Sequence, residues 1–235
     1  MGHTHYWRIR TEAKEAVEKR LGAVLEDFAR LLPHLPPLAG PDGTGGPVLY
    51  PPEVAFNGPA PEDYESFVFP WWEEKKEWSF GFCKTGFAWE DKRPYDLAVR
   101  VFLLLAKLHL DAAGDGPERG GDLVQVASDA PLADWAEAAL LVEGVLALPV
   151  DLYGLLGARL LEVEDARGRR FLLERWKEDD RELDDWLRAR ERMDMNREGR
   201  IPWPFRGPYR VLGEVHLPQE ELPRRWAREG FYKRG

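Results

Sequence analysis

The chain has 235 residues, of which 44% are hydrophobic and 12% aromatic, with ten tryptophans and a formal charge of −9. This composition can fill a core and excludes a globally disordered chain. Its one cysteine, Cys83, excludes an internal disulfide framework and a cysteine-based zinc site, and fits a reducing, cytoplasmic location.

The charge is unevenly spread. Residues 1–150 carry 14 Lys/Arg against 24 Asp/Glu, a balance of −10, whereas residues 151–235 carry 19 against 18, a balance of +1. The acidic N-terminal part repels phosphate backbones, which argues against sequence-independent nucleic-acid binding. The start lacks the basic-then-apolar layout of a signal peptide. The longest apolar run, residues 97–110, is too short to cross a bilayer and contains Arg100, Lys107 and His109, so no membrane contact is expected.

In chain order, His3-Thr4-His5 leads into Tyr6-Trp7-Arg8-Ile9, which reads as a strand. Thr11 can cap a helix whose apolar positions Val17, Leu21, Val24, Leu25, Phe28, Leu31 and Leu32 recur at helical spacing, and Pro33 ends it. Residues 33–52, rich in Pro and Gly, read as a loop; the glycines at 43–46 lack the Lys-Ser/Thr sequel of a phosphate loop. Strands are expected at residues 54–58, 66–69 and 79–85, with a charged aromatic loop from Pro70 to Trp78. A nearly all-apolar helix starts at Pro94 and ends near Leu110, a strand occupies residues 123–127, and another helix follows Ser128-Asp129-Ala130-Pro131. The order β-α-β-β-β-α-β-α predicts an α+β fold with a mixed or mostly antiparallel sheet and helices on one face. Past Pro149 the pattern changes. Residues 160–163 and 170–173 flank the turn Asp165-Ala166-Arg167-Gly168, a charged helix follows over 178–195, and a strand over 209–217 precedes a short basic helix. This divides the chain into a core domain, 1–149, and an appendage, 150–235, packed on it.

Alternation assigns faces. Val54 and Phe56, Phe67 and Phe69, and Phe80 and Phe82 form a bulky set expected to press against the helices, leaving Gly81, Cys83 and Thr85 on a sparsely filled reverse face, where Trp203, Phe205 or Tyr209 of the appendage can lie. His3 and His5 share a face with Trp7 and Ile9. They read as a strand end with each imidazole bonded to a backbone carbonyl, in preference to a metal site, for which Asp96 is the best available acid. Cys83, with no base on its face, reads as a buried filler and not as a nucleophile.

Polar groups at strand ends beside helix starts form a second constellation: Asn57, Lys84, Thr85, Tyr95, Asp96, Ser128 and Asp129 are candidate ligand-binding residues. Capping accounts for Asp96 and Asp129 but not for Lys84.

The blocks Gly2-His3-Thr4-His5-Tyr6-Trp7, Phe56-Asn57-Gly58, Phe82-Cys83-Lys84-Thr85 with Arg93-Pro94-Tyr95-Asp96, and Ser128-Asp129 before Asp134-Trp135 resemble a family of small uncharacterised proteins of bacteria and tailed phages. The resemblance covers about residues 2–140 and implies no activity, because none is established for that family. Residues 86–91 are longer and more aromatic than its pattern, and the part after residue 150 has no counterpart in it.

Two function classes follow. The favoured one is a non-catalytic interaction or accessory protein, phage- or mobile-element-derived, that binds a protein partner through Trp71, Trp72, Trp203 and Phe205, since aromatic side chains commonly anchor interfaces. The alternative is a hydrolase acting on small molecules or nucleotides, in which Lys84 holds an anionic group, Asp96 or Asp129 is the base and His5 exchanges protons. No cofactor is implied, and the sequence carries no nucleophile elbow, Walker loop, dinucleotide fingerprint or HExxH motif.

Overall fold

A computed structural model describes residues 3–73, 76–87, 91–111, 123–176, 205, 207–229 and 231–233. In chain order its elements are β1 (His3–Arg10), α1 (Lys14–Leu31), β2 (Val48–Tyr50), β3 (Glu53–Phe56), β4 (Phe67–Phe69), β5 (Trp78–Gly86), α2 (Asp96–Asp111), β6 (Val124–Ser128), α3 (Leu132–Leu146), α4 (Leu152–Leu156), β7 (Arg159–Glu164), β8 (Arg170–Arg175), β9 (Arg210–Val215), α5 (Leu222–Glu229) and β10 (Phe231–Lys233). The fold is α+β, and all strand pairings except β8 with β10 are antiparallel.

The expected single sheet is two. β1 lies between β5 and β6 in one three-stranded sheet, and β2, β3 and β4 form another. The second is built partly from the stretch read as a loop: Val48 pairs with Ala55, and Ala39 bridges to Asn57. Helix α1 forms as its periodicity predicts, burying Val17, Leu21, Val24, Leu25, Phe28 and Leu31. Helix α2 is buried on nearly all sides. The Phe28, Phe56, Phe67, Phe69 and Phe102 rings pack between the small sheet and these helices, with Phe28 and Phe102 edge to face at 5.3 Å and Phe56 stacked on Phe67 at 4.8 Å. Offset and edge-on contacts of this kind add to the area term.

The face assignment holds for β1, β3 and β4 and fails for β5. Val54, Phe56, Phe67 and Phe69 are fully buried, whereas Phe80 and Phe82 point outward, 48% and 53% exposed. Ser79, Gly81, Cys83 and Thr85 face the helices instead. The reason is Trp7. Opposite Gly81 in the register, its indole lies over that glycine and against Phe67 at 4.9 Å, so the adjoining strand supplies the volume that β5 lacks. Small residues here are the complement of a neighbour's bulk, and the face they line is not a vacant one. Cys83 accordingly sits on the same side as His5, its cross-strand partner, and not opposite it.

After Pro149, β7 and β8 form the predicted hairpin. Asp165 organises its turn, with Oδ1 accepting the N–H groups of Arg167 and Arg169 at 2.9 Å each, and Gly168 takes the positive φ of 75°. The main core runs across the proposed boundary, taking in Leu152, Leu156, Leu160, Leu172 and Leu222. Phe205 and Tyr209 do not fill the main sheet: both pack on Phe171, Phe205 stacked at 3.9 Å. The charged helix expected over 178–195 and Trp203 lie outside the described residues. No helix among the described residues is long and apolar enough to cross a membrane.

Candidate functional site

The strand register brings the opening histidines to the centre of the molecule. His5 lies between Cys83 of β5 and Ser128 of β6, and alternation turns His3 and His5 toward the first turn of α2, where Asp96 stands. All three are at most 1% exposed. The His5 Nε2 atom is 2.7 Å from Asp96 Oδ1, and His3 Nε2 is 3.2 Å from the same oxygen. Thr85 Oγ1 donates to it at 2.5 Å, while Arg100 Nε donates to Oδ2 at 2.8 Å from one helical turn further on. On its other side, His5 Nδ1 meets Ser128 Oγ at 2.8 Å, and that oxygen accepts the Ala130 N–H at 2.9 Å.

Donor and acceptor counting gives this array one pattern for a neutral His5 ring. A carboxylate only accepts, so His5 donates from Nε2 to Asp96. Its Nδ1 is then an acceptor for the Ser128 hydroxyl, whose lone pair serves Ala130. Burial pushes the His5 pKa down despite the pull of Asp96, keeping the ring neutral. Burial also opposes ionisation of Asp96, but the electrostatic pull of the His5 ring, the charge of Arg100 and the contacts with both histidines outweigh it and hold its carboxyl well below the usual range. For Arg100, burial disfavours the cation, and Asp96, Asp134 and Glu137 more than compensate, raising its pKa. Its guanidinium also donates to the Asp134 carbonyl oxygen and to Glu137 Oε2. Asp134 brings its own Oδ2 to 3.9 Å from His3 Nε2. Its side chain, 19% exposed, links this interior to solvent and accepts from Lys92 at 3.0 Å.

The remaining candidates are elsewhere or structural. Lys84 points outward from β5, its amine over the rings of Phe87 at 4.7 Å and Tyr64 at 5.8 Å, so it does not join Asp96. Asn57 clamps a loop, accepting from the N–H groups of Gly58 and Tyr64 and donating to the carbonyls of Pro41 and Tyr64. Buried Tyr95 donates to the Glu65 carbonyl at 2.7 Å, and burial raises its pKa. The Cys83 thiol donates to the same carbonyl, and burial raises its pKa far above that of a reactive thiol. Asp129 is half-buried, and its amide donates to the Thr4 carbonyl. The cap expected from Asp129 comes from a distant residue: buried Glu174 of β8 accepts the Leu132 N–H at 2.9 Å at the start of α3. Of the interface candidates, Trp71 is 56% exposed, Trp72 packs partly against the core, and Phe205 is buried.

No protein-family model, curated protein or solved structure matches this chain. Its chemistry is therefore read from its own residues.

Sequence reasoning missed Arg100 and Asp134 as members of the cluster. Asp96 and Arg100, four apart in an otherwise apolar helix, were the available signal for a buried ion pair. A second region that pattern reading turned the wrong way is the outer face of the β5–β1–β6 sheet. There Tyr6, Arg8 and Arg10 stand opposite Phe82, Phe80 and Trp78. The Tyr6 and Phe80 rings stack at 6.2 Å, and the guanidiniums of Arg8 and Arg10 lie over Trp78 at 4.9 and 4.6 Å. Phe87, 68% exposed, extends the face beside Lys84. A cavity of about 560 Å³ lies in the C-terminal part, walled by Tyr153, Arg159, Arg175, Trp176 and Glu214, and no member of the histidine cluster lines it.

Proposed function

We propose that this chain is a binding protein that docks a protein partner on the outer face of the β5–β1–β6 sheet. The observation that carries this reading is the exposure of Phe80, Phe82 and Phe87 beside Arg8, Arg10 and Lys84 on one side of the molecule. Contiguous exposed aromatics mark interaction sites more often than scattered ones, and aromatic and arginine side chains dominate interface energetics. The occupant that fits is a segment presenting apolar side chains flanked by carboxylates. A second copy docked face to face would oppose Arg8 and Lys84 with their own like charges, whereas Arg10 is already paired with Glu12 and Glu77 at 3.9 and 3.5 Å. A nucleic acid, carrying one charge per ~1.7 Å of duplex, would meet a chain of net charge −9.

The test is capture with an affinity-tagged chain expressed at its natural level. Three forms are compared: wild type, the double variant Phe80→Ser/Phe82→Ser, and the control Leu140→Ser on α3, a residue 37% exposed away from this face. The reading predicts one protein recovered with wild type and control, and recovered at least about tenfold less with the double variant, all three forms melting alike. Recovery of the same proteins in the same amounts by all three overturns it.

A further inference from the structure

The structure also carries a metal-ion site that is separate from the docking face: we propose that His3 Nε2, His5 Nε2 and Asp96 Oδ1 bind one divalent first-row transition-metal ion. The three residues come from the first strand and from the first turn of α2, yet each offers a ligand atom within 4.8 Å of those of the other two, and all three are buried. Two of the separations are 3.2 Å and 2.7 Å. Ligand atoms ~2.0–2.2 Å from a common ion stand about 3 Å from each other, so these side chains already span the edges of a coordination shell. Two imidazoles and one carboxylate suit iron, zinc, cobalt or nickel, and three protein ligands leave positions open for water or substrate.

The surroundings fit the same role. A ligating histidine is normally held through its other ring nitrogen. Ser128 does this for His5, and a hydroxyl can serve either tautomer: it donates to Nδ1 when Nε2–H faces Asp96, and it accepts from Nδ1–H when the Nε2 lone pair is on an ion. Arg100 holds Asp96 through Oδ2 alone, leaving Oδ1 as the shared corner. The half-turn of α3 that carries Asp134 adds a second carboxylate oxygen 3.9 Å from His3 Nε2, with partial exposure that gives an ion a route in. Trp135, edge-on to His5 at 5.5 Å, walls the remaining side. The described residues hold no other such group of three histidine, cysteine or acidic ligands.

The test uses the full chain without a histidine tag, stripped with chelator and then titrated with Co²⁺. Binding is followed by the visible ligand-field absorption of the ion and by metal analysis after gel filtration. The proposal predicts one Co²⁺ per chain, a rise in melting temperature on binding, and affinity at least about tenfold lower in both His3→Gln and His5→Gln, whereas His34→Gln and His216→Gln bind as wild type. Gln keeps hydrogen-bonding capacity in place of the imidazole, and circular dichroism checks that each variant folds. Should either His3 or His5 variant fail to fold, X-ray absorption of the Co²⁺-loaded wild type decides, through two imidazoles in the coordination shell. Absence of stoichiometric Co²⁺ binding overturns the proposal and leaves the cluster a hydrogen-bond network only. So does binding that survives both substitutions, or a shell without imidazole. Because the docking variant Phe80→Ser/Phe82→Ser leaves this cluster untouched, each proposal can fail without the other.

Discussion

Replacing Asp96 with alanine is expected to lower the stability of the chelator-treated protein by about 3–5 kcal/mol, the cost of removing one partner of a buried ion pair. The carboxylate accepts from His5, Thr85 and Arg100 at one point of the core, with His3 Nε2 3.2 Å from the same Oδ1. Without it, the Arg100 guanidinium stays charged and 1% exposed with only the Asp134 carbonyl and the solvent-facing Glu137 to hold it. The His5 donor loses its acceptor in the same step, and the Thr85 hydroxyl keeps only the His3 carbonyl, at 3.3 Å. Urea unfolding followed by tryptophan fluorescence measures the difference. Lys92→Ala is the comparison: it removes only the partly exposed ion pair with Asp134 and should cost less than about 1 kcal/mol. Equal, small effects of the two substitutions would mean that the cluster contributes nothing particular to folding.

Gly81→Ala should destabilise by about 1–3 kcal/mol, the range for forcing a methyl into a filled core. A Cβ at this position would overlap the indole of Trp7. That ring cannot retreat freely, because it is 2% exposed and lies against Phe67 and Phe69. Gly213, on β9, has nothing within contact distance of an added Cβ, so Gly213→Ala is the matched control and should unfold close to wild type. If the alanine at 81 is tolerated as well as the one at 213, Trp7 does not occupy the space assigned to it.

These two sites also mark what could be read from the chain by eye. Helix α1, the β7–β8 hairpin and the buried character of α2 follow from local signals: helical spacing of leucines, an Asp-Ala-Arg-Gly turn, and a proline before an apolar run. Alternation placed His3 and His5 on one buried face, and Asp96 at a helix start. The meeting of the three joins residues far apart in the chain, 91 positions for His5 and Asp96, which no local pattern reports. The inward face of β5 was misread for a related reason. Alternation states only that Phe80 and Gly81 point opposite ways; choosing which one points inward needs the volume of Trp7 from another strand. The start of α3 repeats the lesson, since its cap is Glu174, 42 residues away. Length, charge and periodicity carried the architecture, and long-range packing decided the sites.

The orientation of β5 underlies both the exposed aromatic face and the buried cluster, and thiol chemistry reads it directly because the chain has a single cysteine. Native wild-type protein and the double variant Phe82→Cys/Cys83→Ser are each treated with a maleimide, and the rates compared with those in denaturant. The structure predicts that Cys83, fully buried, reacts only on unfolding, whereas a cysteine at position 82, where the native side chain is 53% exposed, reacts in the folded protein nearly as fast as in denaturant. A folded protein in which Cys83 labels readily and position 82 is protected would contradict the account.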